Sequence, residues 1–347
     1  MKMARPPYNV VVAHPTISAA GNWIDDFVED SSFTFKKVEP FKATSSLFRR
    51  WIGRLGMGWR AYHNSPDVVV ANFPHLALSV AFWKMVMFRR TKIVAWSYNI
   101  PPLDSRIKRF VIAFLSRRID LMVPHSRVET EIYSSFYGIP RHKLVFVPFQ
   151  RGRLPEAEPF EPVEKPYLIA MGSMSRDYRT LADAMRGSDL KLLLIADQHA
   201  LKGVRLPPNV GLRNGISYVE CCALTKSAEA MVLPIASKNT ASGHITLLTA
   251  MMLGVPVIAT RCDSIADYVT DGDTALTVPP EDPVALRDAM ERVAEDPELR
   301  AGLAQRAHSA WKTRYSDEAA GRNLAKVLHL ALNGSGEALA DFVPEGY

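Results

Sequence analysis

The chain lacks what several protein classes require. Three cysteines in 347 residues (Cys221, Cys222 and Cys262) supply neither a disulfide framework nor a paired C-x-x-C zinc pattern, which fits a reducing cytosol. No apolar run approaches the roughly 20 residues of a spanning helix; the longest, Leu76 to Phe88, is broken by Ser79 and Lys84. The N-terminal apolar stretch, Val10 to Ala13, is too short for the core of a signal peptide. No His/Cys/Asp cluster has ligand spacing, and Asp271-Gly272-Asp273 reads as a turn, so the chemistry is expected to need no metal. Acidic residues are scarce in one half only. Residues 1–150 hold 21 Lys/Arg against 10 Asp/Glu, whereas the remainder holds 21 against 26. The first half therefore suits an anionic partner.

What is present is a repeated alternation of short apolar runs with helical stretches. Candidate strands are Asn9–Ala13, Val68–Ala71, Lys92–Trp96, Leu121–Pro124 and Leu144–Val147, then Tyr167–Met171, Leu190–Ala196, Ala230–Leu233 and Val255–Thr260. Continuous Val/Ile/Leu runs of this kind mark strands buried on both faces, and their alternation with helices predicts βαβ units. Between the two series lies the Pro- and Glu-rich segment Arg151–Lys165, read as a linker. The expectation is an α/β chain of two Rossmann-like, doubly wound parallel-sheet domains, residues 1–155 and 156–320. A C-terminal helix and tail, 321–347, is expected to pack back on the first.

Phe41–His63 carries five basic residues and no acidic one, with Phe48, Trp51, Ile52, Leu55, Trp59 and Tyr62 at helical spacing. Arg49, Arg50, Arg54 and Arg60 fall largely off that stripe. Arg49, Arg50, Trp51, Arg54 and Trp59 are the candidate contacts to an anionic membrane surface or a lipid-linked acceptor. No helix-turn-helix, zinc-finger or RNP pattern accompanies the basic residues, so nucleic acid is not expected. Three glycines weaken the helix, and a stripe buried in the domain core is the competing expectation.

The most informative stretch is Pro234–Thr260, in which a strand runs through a polar loop to Ser242-Gly243 and a helix ending at Gly254. A small-residue loop feeding a helix N-terminus offers amide donors and a favourable dipole to phosphate. Lys238, Ser242, Gly243, His244, Thr246 and Thr249 are the candidate donor-binding residues there. Ala250-Met251 and Gly254–Ala259 (GVPVIA), together with YLIAMGSMSRDYRTL, NVGLRNGIS, AMVLP and DYVTDGDTALTV, resemble the donor half of GT-B glycosyltransferases over about residues 120–330. The resemblance implies the GT-B fold, with two domains facing across a cleft, and a nucleotide-diphosphate sugar as donor substrate with no further cofactor. It places Gly172, Ser173 and Arg176 in the phosphate loop. Two glutamates of the family pattern are missing, their positions taken by Ala241 and Thr249. The second commonly holds the ribose hydroxyls, which a threonine does less well because it accepts less than a carboxylate.

Inverting transfer needs a base at a strand end of the first domain, and His14 and Asp104 are the candidates. The resemblance further suggests an exopolysaccharide glucuronosyltransferase of the xanthan or sphingan type. It would act on a polyprenyl-diphosphate-linked saccharide at the inner face of the bacterial plasma membrane. UDP-glucose or UDP-galactose as donor, a nucleotide-sugar epimerase of the same fold, and a non-catalytic binding protein are the alternatives.

Overall fold

The computed structural model describes residues 6–41, 46–63, 65–152, 163–236, 242–334 and 342–347. The chain forms two compact units, Met1–Phe149 with Asp317–Tyr347, and Gln150–Ser316.

The first unit contains β1 (Tyr8–Ala13), β2 (Phe33–Val38), α1 (Leu47–Arg60), β3 (Val68–Asn72), α2 (Pro74–Val86), β4 (Lys92–Trp96), α3 (Arg106–Ser116), β5 (Leu121–Met122) and α4 (Arg127–Tyr137). The strands are all parallel, in the order β2-β1-β3-β4-β5. A parallel sheet must be covered on both faces. Met57, Ala77, Val80, Ile112 and Tyr133 pack on one face with Val69, Ala71 and Ile93. The other face is covered from far along the chain. The helix Asp317–Asn333 lays Leu324, Val327 and Leu328 against Val10, Val70, Val94 and Trp96. It approaches so closely that a Cβ on Gly321 would lie 2.3 Å from the Phe27 carbonyl oxygen.

α1 turns its glycines, not its tryptophans, toward the protein. A Cβ at Gly53 would strike the Phe41 ring and one at Gly58 would strike Ser79. Ser79 Oγ and Trp83 Nε1 donate to the carbonyls of Arg54 and Leu55, at 2.9 and 2.8 Å. The glycines that weaken the helix in isolation permit this close α1–α2 packing.

The second unit contains β6 (Leu168–Met171), α5 (Tyr178–Met185), β7 (Leu192–Ile195), β8 (Val210–Arg213), α6 (Tyr218–Ser227), β9 (Met231–Leu233), α7 (His244–Leu253), β10 (Val257–Thr260), β11 (Leu276–Val278), α8 (Pro283–Glu295) and α9 (Pro297–Ala310). Its parallel strands run β8-β7-β6-β9-β10-β11. Counted within the unit this is 3-2-1-4-5-6, the Rossmann order, with the topological switch between β6 and β9. α7 is apolar all round and correspondingly buried.

The unit boundaries fall a few residues before those expected. The Arg151 N–H donates to the Tyr315 carbonyl and the Trp311 indole donates to the Arg151 carbonyl. These bonds bind the start of the second unit to its end.

Candidate functional site

In the second unit the two loops leaving the switch-point strands are laced together. Arg176 donates from Nε to Met171 O (3.2 Å), from Nη1 to Met174 O (2.8 Å), and from Nη2 to Thr246 Oγ1 in the first turn of α7 (3.2 Å). Backbone bonds from Ala236 N to Ser175 O and from Asp177 N to Pro234 O complete the lacing. Burial lowers the pKa of the Arg176 guanidinium without unpairing it. Gly172 (φ 116°) takes a conformation that favours glycine, and a Cβ there would sit 2.8 Å from Arg176 Nη2. Ser173 Oγ donates to Asp197 Oδ2 at 2.8 Å. Asp197 was not singled out in the sequence, although an acid directly after a strand was the available signal.

The second loop reaches α7 through Gly243, its N-cap, at φ 92°. The Ser242 hydroxyl oxygen is buried and has no hydrogen-bond partner among the described residues. Lys238 lies outside the described residues. His244 is buried, donates from Nε2 to Ser264 O at 2.6 Å, and is pushed down to about 4 by desolvation. It therefore stays neutral and anchors the helix start, with Nε2 committed to Ser264 rather than turned to a bound donor. Thr249 also departs from expectation. It is 1% exposed, donates to Ile245 O at 2.7 Å and accepts from Arg151 Nε at 3.1 Å. Its hydroxyl is committed inside the protein and does not face a ribose. Arg151, whose guanidinium lies 4.4 Å over the Tyr218 ring, brings a cation to that position. No motif pointed to it.

In the first unit His14 follows β1 and is buried, with desolvation pushing it down to about 4. Its Nδ1 accepts from the amides of Thr16 (3.2 Å) and Ile17 (3.1 Å). Amides only donate, so Nδ1 carries the lone pair and the proton of the neutral ring sits on Nε2. This geometry opposes the expected base role, because neither nitrogen offers a free lone pair. Asp104 is exposed, in the segment between β4 and α3. Sequence reasoning gave no role to Ser97, held at φ 51°, whose hydroxyl lies 3.0 Å from His125 Nε2. Buried Glu129 accepts from Tyr133 OH at 2.8 Å and is pushed up to about 7 by desolvation.

On the same unit Trp51 (60% exposed), Ile52 and Trp59 face outward, Leu55 is half-buried and Tyr62 is buried in the core, so the stripe is divided between solvent and core; the Phe48 side chain lies outside the described residues. Arg49, Arg50 and Arg54 lie on the same helix, Arg49 and Arg50 exposed and Arg54 half-buried. α3 adds a second outward apolar face: Ile107 (78% exposed), Phe110 (70%), Val111 and Phe114. No helix among the described residues is long and apolar enough to cross a membrane.

Residues 165–296, which lie within the second unit, match the family described as glycosyl transferases group 1. The chain is 31% identical over 149 residues to alpha-D-kanosaminyltransferase of Streptomyces kanamyceticus, covering 41% of this chain and 38% of that protein. It is 25% identical over 197 residues to the lipopolysaccharide core biosynthesis glycosyltransferase LpsE of Rhizobium meliloti, covering 55% of each. The chain thus spans between about two fifths and just over half of these relatives. Its fold is that of Anabaena HepE solved with UDP-glucose (TM-score 0.64, 12% identity, 92% of this chain and 99% of that one). The architecture is GT-B-like.

Proposed function

We propose that the chain is a glycosyltransferase that moves a sugar, best read as glucuronic acid, from a UDP-sugar to a polyprenyl-diphosphate-linked saccharide in bacterial exopolysaccharide assembly. The observation that carries the donor site is the pair of laced switch-point loops, which leave the Ser242 hydroxyl unpaired at the entrance to α7. Gly172, Ser173, Ser242 and Gly243 offer backbone and hydroxyl donors to the diphosphate, with Arg176 holding the loops in register. The acceptor oxygen attacks the anomeric carbon as the bond to the diphosphate oxygen breaks, and the acceptor proton passes to Asp104. Metal independence belongs to the same reading. The matched group 1 domain and the lipopolysaccharide transferase among the relatives support glycosyl transfer in glycoconjugate assembly.

The outward Trp51, Trp59, Ile107 and Phe110, interspersed with arginines, support peripheral attachment to an anionic leaflet at the cytoplasmic face. Each surface Lys/Arg contributes about 1 kcal/mol there.

The test is a donor panel with a lipid-linked saccharide acceptor, with and without EDTA. UDP-glucuronate should be the preferred donor and EDTA should leave the rate unchanged. Preference for UDP-glucose or UDP-galactose overturns the glucuronate reading, and turnover without acceptor overturns transfer in favour of epimerisation. Asp104→Asn should lower kcat about a hundredfold or more. A change of only a few-fold removes Asp104 as the base.

A further inference from the structure

The stretch between β4 and α3, residues 97–105, carries Asp104 and contains neither helix nor strand. Its backbone must therefore find partners outside itself, and α4 supplies them. The Ile100 N–H donates to the Tyr133 hydroxyl at 3.1 Å, and that hydroxyl donates to Glu129 Oε1 at 2.8 Å. Glu129 Oε2 in turn accepts from the His125 amide at 3.2 Å. One turn further along, Tyr137 OH donates to Pro101 O at 2.6 Å, and the backbone amide of Leu103, the neighbour of Asp104, acts on the same oxygen. Glu129, Tyr133 and Tyr137 recur every four residues, so α4 presents them as one row.

The ends of the stretch are fixed as well. The Tyr98 N–H donates to Val123 O at 2.9 Å, and its hydroxyl pairs with Ser116 Oγ at the same distance. Ser105 caps α3 by accepting from the Lys108 amide at 3.4 Å. Arg109 donates to Phe136 O at 3.3 Å and lies 4.2 Å over the Phe136 ring, which ties α3 to α4. Between these anchors Tyr98 and Ile100 are buried, whereas Asn99 and Asp104 face solvent. The carboxylate is thus presented outward on a backbone held from within.

Packing alone does not call for the two hydroxyls. Phenylalanine would fill nearly the same space, and a buried hydroxyl is costly unless paired. Both phenols direct their oxygens at this one stretch. A general base works only within hydrogen-bond reach of the proton it takes, and misplacement by about 1 Å costs about a hundredfold in rate. A carboxylate on irregular chain meets that tolerance only where the chain is braced.

We propose that Tyr133 and Tyr137 are positioning residues for the transfer step: their hydroxyls, with Tyr133 braced by Glu129, fix the backbone of residues 97–105 so that Asp104 meets the acceptor hydroxyl. This role rests on the reading of Asp104 as the base, and both phenols act through it.

The test is a double-mutant cycle on the whole chain, with the preferred donor of the panel and the lipid-linked saccharide as substrates. Tyr133→Phe should lower kcat about tenfold to a hundredfold and leave the KM for the UDP-sugar within about twofold. Tyr137→Phe should lower kcat by about fivefold or more. Pro101 is exposed, so water replaces this phenol at its carbonyl and Tm should stay close to wild type; the variant carries the cycle if Tyr133→Phe fails to fold. In the Asp104→Asn background each phenol substitution should cost less than about twofold. Equal losses in both backgrounds would make the phenols ordinary core groups and overturn positioning, as would an unchanged kcat in the single variants. Hydrogen exchange reads the brace apart from turnover. Residues 97–105 should exchange about tenfold faster in Tyr133→Phe, and unchanged exchange overturns the brace. An Asp104→Asn rate within a few-fold of wild type is instead the failure of the base reading, and it takes the catalytic role of the phenols with it. Strong impairment by Asp104→Asn with equal phenol losses in both backgrounds is the failure of positioning alone, so the two are distinguishable.

Discussion

Arg176 Nη2 and Thr246 Oγ1 meet at 3.2 Å, joining the loop after one switch-point strand to the first turn of the helix after the other. A hydrogen bond to a charged group contributes about 1.5–3 kcal/mol. Thr246→Val should therefore lower UDP affinity by about tenfold or more in calorimetry, whereas Thr246→Ser should preserve it. Equal affinity in both variants would show that the loops keep their register without this bond.

Glu129 makes stability depend on pH in an uncommon direction. Desolvation raises its folded-state pKa from 4.5 to about 7, so between those values the folded state binds more protons than the unfolded chain. Its contribution is complete below pH 4.5 and is lost as pH rises through 7, a change of about 3 kcal/mol. His14 and His244, lowered to about 4, act oppositely: their contribution is complete above pH 6.5 and is lost as pH falls through 4. The glutamate is isolated by substitution. Glu129→Gln should exceed wild type in Tm at pH 8 and lose that advantage by pH 5.

Gly321→Ala sets two effects against each other. Alanine gains about 1 kcal/mol of helix propensity, but its Cβ would lie 2.3 Å from the Phe27 carbonyl oxygen. Forced overpacking costs about 1–3 kcal/mol. The clash should prevail and lower the denaturant midpoint, and a raised midpoint would show that the helix shifts freely.

The outward apolar residues separate membrane contact from folding. Trp51→Ala with Trp59→Ala, and Ile107→Ser with Phe110→Ser, remove exposed side chains only, so Tm should stay within a degree or two of wild type. Each pair should weaken co-sedimentation with phosphatidylglycerol vesicles by tenfold or more, since burial of one such side chain contributes about 1.5–3 kcal/mol. Undiminished sedimentation would assign attachment to another surface.

The strands were legible where burial on both faces made them continuously apolar, as in Val68–Asn72 and Leu192–Ile195. Edges were not. Phe33–Val38 carries Lys36 and Lys37 and alternates in burial, and Val210–Arg213 is largely solvated, so neither shows a buried run. Leu144–Val147 has the apolar run but forms no full strand: it lies along β5 through the Leu144–Met122 bridge and amide bonds from Val145 to Met122 and Val147 to Pro124. The donor loops were readable because turn glycines and a helix stop are local signals. The commitment of Thr249 and the tautomer of His14 were not, since both are set by partners that only folding supplies. The outward face of α3 has the same periodicity as a buried one, and sequence does not say which side meets the core.

The helix Asp317–Asn333 also sets the order of events on the ribosome. The first sheet is made early, but the residues that cover its second face, Ala320 to Ala331, are synthesised only after the whole of the second unit. The second unit can fold as soon as it emerges, while the first exposes an apolar face for the time taken to make about half the chain. At about 5–20 residues per second this wait lasts on the order of ten seconds or more. Of the two units, the one translated earlier is therefore the one completed later.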